Sequence, residues 1–188
     1  MTRTACSWLL RAWLAVLGLG SAPALAKEET ALGFERTPPR LSFTDGEVSY
    51  WRPGSSDWTD ARVNTALAAG DQLSTAPGAN VELQVGARAW LRSGELSELG
   101  LTSLEPDFLQ LKLTTGTAAL DLRELASGQT FEIDTPNAAF TIERPGFYRV
   151  EVADDATTFT TRRGGRATIA TQGGLPTAIE ANEQLVVT

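Results

Sequence analysis

The sequence predicts an all-β domain: a short irregular β-solenoid or a double-sheet stack of many short strands joined by tight Gly/Pro turns, preceded by a signal-peptide helix. Three observations carry that expectation. From Arg40 onward, turn-forming residues recur at gaps of mostly eight to twelve residues, the spacing of short strands. Between the turns apolar and polar residues alternate with a period of two, which sets one strand face on a core and the other in water. Helical periodicity is missing. In Glu95 to Leu104, the nearest rival, Leu96, Leu99 and Leu104 are loosely spaced and Ser93, Gly94 and Gly100 break the pattern.

Residues 1–26 read as a cleavable secretory signal. Arg3 and Arg11 give a positive start, the run AWLAVLGLG is apolar, and Ala24-Leu25-Ala26 is a small-x-small site followed by the polar Lys27-Glu28-Glu29. Arg11 interrupts the apolar stretch, which falls short of the roughly 20 residues of a spanning helix. The chain has 188 residues, 23 acidic and 16 basic, for a net charge of −7. Cleavage before Lys27 removes both signal arginines and no acid, leaving 162 residues at −9. The expected location is the periplasm or the secreted fraction. Residues 27–39 form a polar N-terminal tail that closes on Pro38-Pro39, and 40–188 form the β domain.

The strands follow in order. Asp45-Gly46 and Pro53-Gly54 punctuate the first, and Gly70-Asp71 and Pro77-Gly78 the next. In ANVELQV, Ala79, Val81, Leu83 and Val85 form the inward face; Gly86 and Gly94 bound the strand after it. Leu109, Leu111 and Leu113 alternate up to Gly116, where a reversal is expected. Phe131 and Ile133, then Phe140 and Ile142, flank Pro136-Asn137. Tyr148, Val150 and Val152 precede Asp154-Asp155, and threonines around Phe159 suit a further strand through β-branching. Gly164-Gly165, Gly173-Gly174 and Asn182-Glu183 mark the last turns. So many turns favour pairing between sequence neighbours.

Composition excludes whole classes of chemistry. The chain has no histidine, and its one cysteine, Cys6, lies in the signal. A His-ligated metal, a Ser-His-Asp triad and a Cys-His dyad therefore lack their parts. An acidic chain without a basic block is unsuited to nucleic acid, whose phosphates need clustered cations. Glycines never stand in the order of a nucleotide-binding loop. Asp154-Asp155 is a turn, because a calcium loop would bring further oxygen ligands and a terminal glutamate. The expectation is a non-enzymatic domain with no cofactor and no metal.

Three features remain as candidate surfaces. Trp51 and Trp58 flank the turn RPGSSD and Trp90 lies on a later strand; these rings either stack on sugars of an envelope glycan or supply bulk to a core without methionine. Arg162, Arg163 and Arg166 surround Gly164-Gly165 at an expected hairpin tip, which either holds a partner or is solvated. The segment Ala178 to Thr188 is apolar and β-prone towards its end. It either closes the core or offers an edge for strand addition.

Three stretches resemble the extracytoplasmic FecR domain. Residues 66–99, ALAAGDQLSTAPGANVELQVGARAWLRSGELSEL, are similar to its first run, with Gly70, Asp71, Leu73, Thr75, Gly78 and Leu83 in matching places. Residues 109–142 are similar to its central segment through Gly116, Phe131, Ile133, Thr135 and Pro136. Residues 147–169, FYRVEVADDATTFTTRRGGRATI, are similar to its closing segment. The resemblance spans about 40–188. Gly70, Asp71, Gly78, Gly116 and Pro136 read as structural turns, so it carries a scaffold without an active site. It implies envelope signalling. Founding members join a cytoplasmic anti-sigma segment and a membrane helix to this periplasmic domain, which hears a TonB-dependent receptor. This chain shows a signal peptide in their place and so resembles free-standing exported FecR-like proteins, with another envelope protein as the expected partner. N-terminal sequencing of the exported protein should read Lys27 first; Met1 retained in a membrane pellet would contradict the signal-peptide reading.

Overall fold

The computed structural model describes residues 37–188. The signal residues Ala24, Ala26 and Lys27 lie outside this range. Fifteen strands and no helix make up the described residues. They are β1 (Arg40–Asp45), β2 (Val48–Trp51), β3 (Thr59–Asp60), β4 (Gln72–Thr75), β5 (Asn80–Val85), β6 (Ala89–Ser93), β7 (Glu98–Leu104) and β8 (Phe108–Leu122). After these come β9 (Thr130–Asp134), β10 (Ala138–Ile142), β11 (Gly146–Ala153), β12 (Ala156–Arg162), β13 (Ala167–Thr171), β14 (Thr177–Ile179) and β15 (Gln184–Val187).

All fifteen belong to one continuous mixed sheet, folded over along β8 into two leaves. The front leaf runs β1-β5-β6-β8-β11-β12-β15 and uses residues 116–122 of β8. The back leaf runs β14-β13-β10-β9-β8-β7-β4-β2-β3 and uses residues 108–115 of the same strand. Pairing is antiparallel except between β8 and β9, which run parallel. A parallel pair needs a long crossover; the second half of β8 and the loop 123–129 supply it. The architecture is thus the double-sheet alternative, with the chain passing repeatedly between leaves.

Pairing is less local than the turn spacing suggested. β8 pairs with β6, β7, β9 and β11, and β1 pairs with β5. The cause is that a tight turn can return the chain to the same leaf or send it to the other. Pro106-Asp107, Pro136-Asn137 and Asp154-Asp155 lie in hairpins within one leaf. Gly78, Gly94 and Gly164 lie in arches that cross between leaves.

Gly116 is a further correction. It stands inside the 15-residue strand β8 rather than at a reversal. Its φ of +87° bends the strand from the back leaf into the front one. A Cβ there would lie 2.6 Å from the Ser97 Cα and 2.7 Å from the Leu96 carbonyl oxygen. That close approach is tied by hydrogen bonds. The Thr117 N–H donates to Ser97 Oγ at 3.0 Å, and the Ser97 N–H donates to Thr75 Oγ1 at 2.9 Å. Thr75 Oγ1 in turn donates to the Gly94 carbonyl at 2.7 Å. Thr75 and Ser97 are buried, and this network satisfies them.

The inward faces of the leaves merge in one apolar core. Leu83, Leu91, Leu120 and Val150 come from the front leaf; Leu99, Leu111, Phe131 and Ile142 come from the back. Phe140 of the back leaf stacks on Phe159 of the front, centroids 4.1 Å apart and planes 3° apart. Such a pair adds about 0.5–1.5 kcal/mol beyond the area it buries. β15 pairs with β12 as the outermost front strand, and Leu185 and Val187 pack against the core. The C-terminal strand therefore closes the core while leaving its other edge open.

Gly116→Ala meets both a positive φ and a filled site. Strain of about 1–3 kcal/mol and overpacking of similar size predict a loss of about 2–6 kcal/mol, read as a lower urea midpoint at unchanged m-value. Wild-type stability in this variant would show that the bend is not constrained.

Candidate functional site

The structure separates the residues that the sequence singled out. Trp51 lies on β2, where Val48 and Tyr50 point to the core and the intervening side chains point outward. Its indole N–H donates to the Ser55 carbonyl at 3.0 Å, pinning the ring over its own turn. Trp58 stands just before β3 and is 48% exposed. Both belong to the back leaf. Trp90 lies on the outer face of the front leaf, between the inward Ala89 and Leu91, and the Arg123 guanidinium covers its ring at 4.3 Å. The three rings therefore occupy opposite faces of the domain and build no common stacking row.

The arginine cluster is not at a hairpin tip. β12 pairs with β11 and β15, whereas β13 pairs with β10 and β14, so residues 163–166 form an arch between leaves. Arg166 is built into this arch. Its Nε lies 3.0 Å from Glu143 Oε2 and 3.4 Å from Glu180 Oε1. Its backbone N–H donates to the Tyr148 hydroxyl at 3.0 Å, and that hydroxyl donates to the Arg144 carbonyl. A Cβ on Gly165 would come within 2.8 Å of the Tyr148 ring, so the glycine is what lets the arch close over the phenol. Arg162 and Arg163 are exposed. Arg163 sits 5.7 Å from the Phe147 ring and 4.0 Å from Asp121.

Gly70 and Asp71 form a joint rather than a binding loop. The Asp71 side chain is buried, and Arg52 grips it with Nε to Oδ1 at 2.9 Å and Nη2 to Oδ2 at 2.5 Å. The Ala68 N–H adds a third bond at 2.9 Å. The hydrogen bonds that Arg52 donates to Asp71 raise the Arg52 pKa. Arg52 thereby locks the loop after β2 onto the start of β4. Gly78 opens the arch into β5, where its N–H donates to Glu95 at 2.6 Å. Pro136 caps β9, with the Thr135 N–H bonded to the Ala138 carbonyl at 2.8 Å.

The outward faces differ in charge. On the back leaf, Gln110 donates at 2.9 Å to both Glu132 and Asp134. Burial, then the neighbouring Glu132 charge, pushes the Asp134 carboxyl above its ordinary pKa. On the front leaf, Trp90, Asp121 and Phe147 stand side by side on β6, β8 and β11. The next row holds Arg92, Ala119 and Arg149. This arginine–aromatic array escaped sequence reasoning because its members are scattered from residue 90 to 163. Only cross-strand register joins them. An open polar cleft of about 310 Å³ lies below it, lined by Gly78, Asn80, Gly94, Glu95, Thr117 and Arg149. Among the described residues no three carboxylates converge as a metal site would require.

Two solved structures share this fold. Both are crystal structures of a "putative anti-sigma factor" from Parabacteroides distasonis, each 14% identical with a TM-score of 0.53. The alignment covers 61% of this chain and 53% of the other, so the chain spans about half the length of the proteins it matches. At that identity the likeness is one of fold. No family model matches the chain, and no curated protein matches it significantly.

Burial pushes the Tyr148 phenol from 10.0 up to about 12, against the lowering effect of its backbone hydrogen bonds. An unfolded phenol ionises near pH 10, so between about pH 10 and 12 the unfolded state holds fewer protons than the folded one. Stability is full below pH 10 and falls by on the order of 2–3 kcal/mol as pH rises to 12. Absorbance at 295 nm should show one tyrosine titrating near 12 in wild type and none in Tyr148→Phe. A wild-type titration complete by pH 10.5 would contradict the sealed arch.

Proposed function

We propose that this chain is an exported, non-enzymatic FecR-like domain that serves envelope signalling as a protein-interaction scaffold. The observation that carries this reading is the fold shared with a protein described as a "putative anti-sigma factor", beside the FecR-like order of motifs along residues 66–169. Both support a regulatory, signalling role. The motif residues are used as joints: Asp71 is clamped by Arg52, Gly116 bends β8 and Pro136 caps a strand. A domain whose matched residues all hold shape offers its surface rather than a reaction.

The chemistry supports the same reading. A rigid pair of leaves with a polar, charged exterior presents fixed side chains at little entropic cost, as interaction domains do. The glycan alternative would need aligned rings, and Trp90 is on the opposite face from Trp51 and Trp58.

The test is crosslinking in intact cells with the full chain, followed by identification of what it holds. The expected product joins it to an envelope regulatory protein, a receptor signalling domain or an anti-sigma regulator. Recovery of the protein in the cytoplasm, or the absence of any crosslinked protein from an envelope in which it is abundant, would overturn the proposal.

A further inference from the structure

The outer face of the front leaf carries an ordered array of cations on an acidic chain. In its upper row Asp121 lies between Trp90 and Phe147 in register. Arg123 rests on the Trp90 ring at 4.3 Å and reaches Asp121 at 3.4 Å. Arg163 mirrors it, 5.7 Å from the Phe147 ring and 4.0 Å from the same carboxylate. One aspartate thus orients two guanidinium groups, each over an aromatic ring. Arg162 extends the row on β12, opposite Phe147.

In the lower row Ala119 separates Arg92 from Arg149. Strands lie about 4.8 Å apart, so these two arginines stand about 10 Å apart across a gap that only a methyl group floors. Arg92 is tethered to Glu82 at 2.7 Å and Arg149 to Glu151 at 3.3 Å. Height decides what a partner meets. The side chains of Arg92, Arg123, Arg149 and Arg163 are 53%, 56%, 53% and 73% exposed, whereas Glu82 and Asp121 are 19% and 14% exposed and Glu151, beside Arg149, is 49% exposed. The cations project and most of the acids are recessed. The projecting layer is positive although the chain carries −7.

We propose that this face docks an acidic, extended protein segment, its carboxylates bridging Arg92 and Arg149 across Ala119. This rests on the reading of the chain as an interaction domain and names the chemistry of its partner. Planar guanidinium forks match carboxylates in a bidentate fashion; Glu82 and Glu151 already hold Arg92 and Arg149, and rings hold Arg123 and Arg163, which lowers the ordering cost of binding. Carboxylates three residues apart on a polyproline-II segment rise about 9 Å, close to the arginine spacing. A lipid surface would be met by apolar side chains, yet the exposed large hydrophobics (Phe43, Trp58, Val63, Leu96, Leu175 and Val186) all lie off β6, β8 and β11. The chain's overall charge opposes a nucleic acid.

The probe is a fluorescein-labelled (Glu-Pro-Pro)4 peptide, with (Lys-Pro-Pro)4 as its counterpart, titrated by anisotropy at 50 and 300 mM salt. Wild type should bind the glutamate peptide and not the lysine one, with weakening at high salt. Arg92→Glu with Arg149→Glu should weaken binding at least tenfold in a protein that still unfolds cooperatively, at a somewhat lower melting temperature because Arg92→Glu faces Glu82 across the strands. Arg92→Gln with Arg149→Gln serves the same purpose if the reversal does not fold. Arg62→Glu, exposed and remote, should bind as wild type does. Equal binding by wild type and both double variants overturns the proposal. So does capture of phosphatidylglycerol vesicles or polygalacturonate in place of the peptide, or concentration-dependent self-association through this face. In these cases a crosslinked protein in the cell, if still found, leaves the interaction-domain reading standing on another surface. Loss of every crosslinked protein fails that reading separately.

Discussion

A single strand has to serve two sheets. β8 enters the back leaf at Phe108 and leaves the front one at Leu122, and the bend between them is set by Gly116. The bend exists because Ser97 comes so close that no side chain fits, and because Thr117, Ser97, Thr75 and Gly94 exchange hydrogen bonds there. Four strands pair with β8: β6 and β11 in the front leaf, β7 and the parallel β9 in the back. Were the strand to end at the bend, the two leaves would be separate sheets, held only by packing and the connecting arches. The Phe140–Phe159 stack and the common core form because β8 holds the leaves face to face.

Around that hinge, most buried polar groups are satisfied; among the described residues, Asp134 Oδ1 and Arg166 Nε are the buried side-chain atoms without a hydrogen bond. Asp71 receives three hydrogen bonds, Tyr148 seals the arch at Arg166, and Thr157 reaches Thr135 at 3.1 Å and Asn137 at 2.9 Å between leaves. A buried hydroxyl or carboxylate left unpaired costs more than its bond gains, so these pairs fix how the leaves register. They also explain why residues that attract notice as charges, Arg52 and Arg166, turn out to be fasteners, each ion-paired to a carboxylate of another segment. Their neighbours Arg162 and Arg163 remain at the surface.

The candidate surface shows where sequence reasoning loses its hold. Arg163 is visible in the sequence beside two glycines, but its neighbours Phe147, Asp121 and Trp90 lie 16 to 73 positions away. Trp90 reads as a lone aromatic until β6 is laid beside β8. Period two says that Trp90 and Arg92 share a face; it cannot say that Arg123 folds over one or that Ala119 separates the other from Arg149. Those relations are cross-strand, and register is a property of the sheet.

The sequence by itself determined that the domain is all β, where most strands lie and which side chains face inward. Alternation and turn chemistry are local, and each needs only a few adjacent residues. Leu109, Leu111 and Leu113 are buried as their spacing requires. The tertiary structure decided which turns are hairpins and which are arches, because a glycine at positive φ reverses the chain equally well in either. It decided that Gly116 bends a strand instead of ending it, since the Ser97 backbone that excludes a side chain comes from 19 residues upstream. It also decided which arginines are fasteners and which present themselves to a partner, through neighbours that only the packed leaves supply.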